Sequence, residues 1–191
     1  MYRILFLIFF SLSLTIQANS NPNYIQKNEL KKIEKIYGKQ ASTRVDIWNK
    51  LIKKYSNKKT LLKLKYVNNY FNQFTHMKDI KLWKKAEYWA SYKEFLSVGA
   101  GDNEDFAIAK YFTLINMGVP KEKLKISFIR VSNKNSSRNH IVLLYYHKKS
   151  SVPVVLDNTT PKLLLLSKRV DVKILANVSH DRVMKRINTK I

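Results

Sequence analysis

Apolar residues recur at helical spacing through the first half of the chain. In IQKNELKKIEKIYG they form one stripe that stops at Gly38, and a second helix is predicted to follow with Ser42 or Thr43 as its cap. A third helix, TLLKLKYVNNYFNQF, opens at Thr60. Its predicted inward positions are Leu61, Leu64, Val67, Tyr70, Phe71 and Phe74.

A glycine turn separates the next two predicted helices. A short helix is expected over 91–98, and Gly99 and Gly101 then allow the backbone to turn sharply. A longer amphipathic helix follows from Asn103 to Met117, and the glycine and proline of MGVP end it.

After residue 120 the pattern changes to the alternation typical of strands. KLKISFIRVS, NHIVLLYYHK and SVPVVLDN are predicted strands, and the polar SNKNSSRN between the first two fits a hairpin loop. Residues 163–174 can add another strand, and the last segment, SHDRVMKRINTKI, is expected to be loosely held. Helices followed by an antiparallel sheet predict an α+β fold, in one domain over residues 21–191.

The first twenty residues have the features of a signal peptide. Arg3 is followed by the apolar ILFLIFFSLSLTI, and the small residues Ala18 to Ser20 offer a cleavage site. The expected mature chain starts near Asn21 and is exported to the periplasm. The alternative is an uncleaved N-terminal anchor, although the apolar run is shorter than the roughly 20 residues of a spanning helix.

Composition excludes several kinds of chemistry. The 191 residues include no cysteine, which rules out disulfides, thiolate metal sites and thiol catalysis. The formal net charge is +23, but the lysines are spread along the chain without the interleaved aromatic residues that stack on single-stranded nucleic acid. No specific nucleic-acid binding is therefore expected, and a weakly sticky, solvated surface is the simplest interpretation.

Three polar residues stand at the ends of predicted elements. Asn103 lies at the start of a helix, His140 opens an apolar strand, and Asp157 ends the strand VPVVLD. A nucleophile at a helix N-terminus, a base on one strand and an orienting carboxylate on the next form a known catalytic arrangement. The helix end would also lower the pKa of a thiol and stabilise an oxyanion.

The segment EYWASYKEFLSVGAGDNEDFAIAKYFTLINMGVP, followed by NHIVLLYY and VVLDN, resembles the bacterial transglutaminase-like cysteine proteinases of the LapG type. The resemblance extends upstream through RVDIWNKLI and KYVNNYFNQF. It implies a papain/transglutaminase-like cysteine-proteinase fold. In that family the helix opens with Gly-Asp-Cys-Glu-Asp, and a His and an Asp follow on the next strands.

Carried over by position, the resemblance puts Asn103 where the nucleophile stands, His140 at the general base and Asp157 at the orienting acid. A neutral carboxamide cannot be activated as a thiol is, so the acyl-enzyme route of the family is closed. A single histidine at a strand edge is otherwise most often structural. His76, His147 and His180 have no identifiable partners and are expected in solvent.

The resemblance also implies calcium, held by Asp102, Glu104 and Asp105, since hard cations prefer carboxylate oxygens. The residues alone leave a second interpretation open, in which Asp102 caps the helix while Glu104 and Asp105 favour its dipole. Trp83 and Trp89 likewise fit either a peptide groove or core packing.

Three functions remain open from the sequence. In the first, the chain is an exported pseudoenzyme that binds a surface adhesin, near its N-terminus, or the cyclic-di-GMP-responsive inner-membrane receptor that restrains LapG-type proteases. In the second, it is an active cysteine peptidase in which Asn103 is engineered or erroneous. In the third, it is a basic module that binds anionic envelope polymers.

Overall fold

The computed structural model of the protein describes residues 22–187. The predicted signal peptide, residues 1–20, lies outside this range. Within it, no helix is both long enough and apolar enough to cross a membrane.

Helices dominate the first two thirds of the described range. They are α1 (Lys27–Tyr37), α2 (Lys39–Tyr55), α3 (Thr60–Phe71), α4 (Asp79–Leu82), α5 (Tyr92–Val98), α6 (Asn103–Asn116) and, after the sheet, α7 (His180–Arg186). The α5 and α6 bounds agree with the sequence prediction to within one residue. Ser91 caps α5 by accepting the Glu94 N–H, while the Glu94 carboxylate accepts the Ser91 N–H.

The prediction that Ser42 or Thr43 caps the second helix was wrong. Helix α2 begins directly at Lys39, because Gly38, with a φ of 83°, redirects the chain in one residue. Both hydroxyls lie within the helix and donate to the Lys39 carbonyl.

Two further expectations about the helices need correction. Leu61 was expected to face inward, but it is 62% exposed, since α3 turns Leu64, Val67 and Phe71 toward the core instead. The C-terminal segment was expected to be loose, yet α7 forms there and buries Val183.

Five strands of the second half are β3 (Leu124–Ser132), β4 (Ser137–Tyr145), β5 (Val154–Leu156), β6 (Leu164–Leu165) and β7 (Val172–Val178). They form an antiparallel sheet in the order β6-β5-β4-β3-β7, separate from the short pair β1 (Thr75–His76) and β2 (Ala100–Gly101). β3 and β4 pair along their full length from Leu124↔Tyr145 to Ser132↔Ser137, so the hairpin loop is shorter than predicted. The α+β prediction is confirmed.

Helix α6 is the centre of the molecule. It packs against β4 and β3 on one side and against α3 and α5 on the other. Most of its residues from Asp105 to Leu114 are buried. The ring of its own Phe106 packs against Phe95 of α5, which in turn packs against Phe71 of α3. This packing fixes the direction of the helix and therefore the position of its N-terminus.

Candidate active site and cation site

A short parallel strand pair positions the N-terminus of α6. β1 (Thr75–His76) pairs with β2 (Ala100–Gly101), and the Met77 N–H donates to the Gly101 carbonyl over 2.8 Å. The chain that follows β1 therefore runs beside the mouth of α6. It carries Asp79, the first residue of α4, to this mouth.

Asp105 supports the turn into α6 from inside. Its carboxylate is fully buried and accepts the N–H groups of Ala90, over 2.8 Å, and Asp102, over 3.3 Å. A Cβ atom at Gly101 would lie 2.5 Å from Asp105 Oδ2, so only glycine fits at that position. The Asp105 carboxylate thus already has two protein donors.

Two strands bring the predicted base and acid together. His140 Nε2 lies 2.9 Å from Asp157 Oδ1, and both side chains are almost completely buried. A carboxylate only accepts hydrogen bonds, so Nε2 carries the hydrogen. When the ring is neutral, Nδ1 is an acceptor, and this buried atom has no hydrogen-bond partner within residues 22–187. A ring fixed at one nitrogen with a free lone pair at the other can serve as a general base.

Asp157 is held by more than His140. Thr159 donates its N–H and hydroxyl to Oδ1, and Arg169 Nη1 donates to Oδ2 over 3.0 Å. Burial alone would raise the pKa of Asp157, but the hydrogen bonds from His140 and Thr159 outweigh it and the pKa is lower than usual. Arg169 also forms a bidentate pair with Asp171. Asp157 is therefore ionised and fixed in orientation.

Asn103 is the first residue of α6 and is partly buried. Its Oδ1 accepts a long hydrogen bond, 3.4 Å, from Asn158 Nδ2, and Asn158 directly follows the orienting Asp157. This bond connects the start of α6 to the segment after β5, where Asp157 contacts His140. The chain offers no thiol here or elsewhere, because it has no cysteine.

A buried lysine lies behind the site. Lys110 on α6 is 1% exposed and its ammonium donates to Asn68 Oδ1 over 2.8 Å. Asn68 in turn donates to the Thr160 carbonyl, and Asn72 donates to the Asp157 carbonyl over 2.9 Å. Burial lowers the pKa of Lys110 to about 7, although the negative Asp157 acts in the opposite direction.

Three carboxylates converge beside Asn103. Asp79, Asp102 and Glu104 each offer an oxygen, and these oxygens lie within 4.8 Å of one another. Asp79 Oδ1 and Asp102 Oδ1 are buried and have no hydrogen-bond partner in the described part of the chain. Burial and then repulsion from Glu104 raise the pKa of Asp102 to about 9, and burial also raises that of Asp79. Buried oxygens without donors, crowded by like charge, fit a hard divalent cation.

Two of the three calcium ligands predicted from the sequence lie in this group of carboxylates, and the third does not. Asp102 and Glu104 belong to the three-carboxylate group, whereas Asp105 lies outside it and contacts backbone N–H groups. Asp102 stands at the N-cap of α6, and its N–H donates to the Asp105 carboxylate. Asp79 was not predicted, because its neighbours in the sequence give no motif and only the β1–β2 pairing brings it here.

Other predicted residues have structural contacts. Trp89 is buried, and the Arg186 guanidinium lies 5.1 Å from its ring centre, while Trp83 packs against Tyr88. His180 was expected in solvent, but its Nδ1 lies 3.1 Å from the Tyr111 hydroxyl, so that expectation was wrong. His147 is exposed. His76 is also exposed, with its ring 6.4 Å from that of Phe106.

A helix start linked through Asn158 to a buried His–Asp pair on an antiparallel sheet is the arrangement of cysteine-proteinase-like α+β proteins. The family model of the bacterial transglutaminase-like cysteine proteinases (BTLCP) matches residues 37–181. The chain belongs to this family.

Solved structures support the assignment. A structure of Legionella pneumophila LapG is 36% identical, over 79% of this chain and 84% of that chain, with a TM-score of 0.68. Calcium-bound LapG from the same organism is 32% identical over 83% of this chain and 97% of that chain, with a TM-score of 0.72. An EGTA-treated LapG is 36% identical, over 78% and 81%, with a TM-score of 0.68. No curated protein gives a significant match.

The Arg169 contact with Asp157 leads to a stability prediction. Replacing Arg169 with methionine is expected to lower the free energy of unfolding by about 1–3 kcal/mol, since charge-assisted hydrogen bonds to a buried carboxylate are lost. The control is Lys50→Met, which removes an exposed pair with Asp46 and should cost less than about 0.5 kcal/mol. Urea denaturation followed by circular dichroism measures both, and equal losses would contradict a structural role for Arg169.

Proposed function

We propose that the protein is an exported, periplasmic member of the LapG-type family that binds its target without cleaving it. The observation that carries the proposal is a fixed His140–Asp157 pair beside a helix start that bears Asn103, in a chain without cysteine. The base and its orienting acid are present, but the group they would activate is a carboxamide. A carboxamide has no acidic proton that a neutral imidazole can remove, so no nucleophile forms.

The proposed target follows from the family resemblance. It is the N-terminal region of a surface adhesin, or the cyclic-di-GMP-responsive inner-membrane receptor that restrains LapG-type proteases. A protein that retains the family fold and the site at the start of α6 can bind either partner, and so can protect an adhesin from cleavage in biofilm control. Trp83, half-buried directly after α4, is available for such a contact.

The direct test is incubation of the purified mature protein with the N-terminal region of the cognate adhesin, with calcium and with chelator. The expected result is binding, measured by calorimetry, with no cleavage product on a gel. A parallel titration with the periplasmic domain of the receptor decides between the two partners. Cleavage by the unmodified protein would contradict the proposal and favour an active peptidase of unusual chemistry. Failure to bind either partner would contradict the shielding role.

We further propose that calcium binds to Asp79, Asp102 and Glu104. The geometry of the three carboxylates and their unpartnered oxygens supports this assignment. Calcium would neutralise the repulsion within the cluster and connect α4 to the mouth of α6. Asp105 then acts from behind, where it holds the Asp102 backbone.

Calcium is therefore expected to raise the melting temperature. A cation at a hundredfold its dissociation constant stabilises the folded state by about 2.7 kcal/mol, or roughly 5–10 °C for a domain of this size. Differential scanning calorimetry with calcium and with EGTA measures the shift. It should vanish in Asp79→Asn and Asp102→Asn, and persist in the control Asp46→Asn, which removes an exposed carboxylate on α2. A shift unchanged in Asp79→Asn would place the ion elsewhere.

A further inference from the structure

A second concave site lies at the opposite end of the sheet from His140. It has a volume of about 650 Å³ and forms where β3 begins and β4 ends. Its walls include Lys123, Lys125, Tyr146, Lys148, Lys149 and Asn177, and we call it the basic cavity. Tyr146 lies six residues beyond His140, which corresponds to about 20 Å along an extended strand. The basic cavity is therefore separate from the candidate active site.

The charge of the basic cavity is uncompensated. Four lysines line it against a single acid, Glu122, and His147 also contributes to the wall. Within residues 22–187, none of the four lysine ammonium groups forms a salt bridge or a hydrogen bond. The lysines of the rest of the chain are dispersed, so convergence of four around one concavity concentrates the positive potential.

The polar groups of the cavity are mainly donors. Asn177 Oδ1 accepts the Ser127 hydroxyl over 2.7 Å, and its amide hydrogens have no acceptor in the described residues. The Tyr146 hydroxyl is a further donor without a partner in that part of the chain. Apart from Glu122, the lining side chains offer few acceptors. A ligand that only accepts hydrogen bonds and carries several negative charges matches this lining.

The backbone that carries these lysines is well fixed. The Tyr146 N–H donates to the Lys123 carbonyl over 2.8 Å and ties the two walls together. The turn that carries Lys148 and Lys149 is closed by Ser151, whose hydroxyl and N–H contact the Lys148 backbone. The cavity therefore needs only side-chain ordering to receive a ligand.

We propose that the basic cavity binds a compact polyanion that carries two or more phosphate groups. Its volume lies within the range of small-ligand pockets, and lysines from two walls suit phosphates close together in space. An extended acidic peptide would spread its charges along a groove instead, with about 3.3 Å between successive residues. The phosphates can belong to a soluble phosphorylated molecule or to a lipid headgroup.

The probe for this site is inorganic tripolyphosphate, titrated by calorimetry into the full mature protein at physiological ionic strength. The cavity variant carries Lys123→Gln, Lys125→Gln, Lys148→Gln and Lys149→Gln. The matched control carries Lys31→Gln, Lys32→Gln, Lys35→Gln and Lys53→Gln, which removes the same charge from exposed positions on α1 and α2. Circular dichroism verifies that both variants fold.

Tripolyphosphate is expected to bind the wild type and the control variant alike, and the cavity variant at least about tenfold more weakly, because the loss of even one charge-assisted hydrogen bond costs about that factor or more. Equal weakening in both variants would show that diffuse charge alone attracts the anion, and would overturn the proposal. So would absence of binding to the wild type.

Sedimentation with phosphatidylcholine vesicles that contain cardiolipin, a lipid with two phosphates, identifies the source of the phosphates. Cosedimentation of the wild type that is lost in the cavity variant assigns a lipid headgroup. Binding of tripolyphosphate without cosedimentation assigns a soluble ligand. Cosedimentation that persists in the cavity variant, with no binding of tripolyphosphate, would overturn the proposal.

Discussion

Replacing Asn103 with cysteine is expected to create a thiol that iodoacetamide alkylates about a hundredfold faster at about pH 6 than it alkylates an ordinary cysteine. The thiol would stand at the N-terminus of α6, where the helix dipole favours the thiolate. His140 would accept its proton, since Nδ1 has no other partner among residues 22–187. Calcium bound to the neighbouring carboxylates would remove the opposing negative charge.

Two controls separate these causes. Asn116→Cys puts a thiol at the last residue of the same helix, where the dipole has the opposite sign, and should react slowly. Asn103→Cys combined with His140→Ala retains the helix end without the base and should react at an intermediate rate. Mass spectrometry of quenched samples gives the rates, and equal rates at positions 103 and 116 would contradict the assigned site.

The same variant tests whether the scaffold can still catalyse. If the site can still position a substrate, Asn103→Cys should cleave the adhesin segment that we propose the wild type only binds. Rapid alkylation without cleavage would show that the thiol is activated and that substrate positioning has been lost. If the variant shows no rapid alkylation and no cleavage, that result contradicts the roles proposed for His140 and Asp157.

The free energy of unfolding is expected to rise by on the order of 4 kcal/mol between about pH 7 and pH 10 because of Lys110 alone. Burial lowers the pKa of Lys110 to about 7 in the folded protein, whereas an unfolded lysine titrates near 10.4. Between these values the unfolded chain binds the additional proton, so stability increases with pH. Below about pH 7 the cost of the buried ammonium is fully present, and above about pH 10 it disappears.

Urea denaturation at a series of pH values measures this slope, and Lys110→Met isolates it. Methionine fills a similar volume without an ammonium group, although it leaves Asn68 Oδ1 without its donor, which adds a cost that does not vary with pH. Lys50→Met, at an exposed position of α2, should retain the wild-type slope. A slope that is the same in Lys110→Met would show that the ammonium is better solvated than its burial implies.

The fold was predictable to the extent that periodicity is a local property. The spacing of apolar residues located α5 and α6 because each helix has clear signals at both ends, Ser91 before α5 and Gly118 after α6. The cap of α2 was misjudged because a hydroxyl inside a helix can bond to the carbonyl four residues back and leaves the same sequence pattern. Helix α7 was missed because its seven residues bury only Val183.

Only those site residues could be predicted that a local sequence motif and their order along the chain identify. The alternation revealed the two strands, although His140 lies three residues inside β4 rather than at its start, and Asp157 directly follows β5. The structure brings the two side chains within hydrogen-bond distance. Arg169 gave no signal, because it is one of many basic residues and lies in a loop after β6. Asp79 was equally hidden, since it reaches the acidic cluster through a strand pair of two residues each. Both depend on tertiary pairing that no local pattern encodes.

In α6, the residues that pack in the core and the residue at the nucleophile position are different, and this has an evolutionary consequence. The residues that hold the molecule together begin at Asp105 and continue to Leu114. Asn103 lies two residues earlier and, in the described part of the chain, its side chain has a single long hydrogen bond, to Asn158. Mutation at position 103 therefore meets little resistance from folding, and selection on that residue can act through chemistry alone. If the chain binds its target without cleaving it, as we propose, a lineage can make that exchange in one codon, while the buried residues from Asp105 to Leu114 stay as they are.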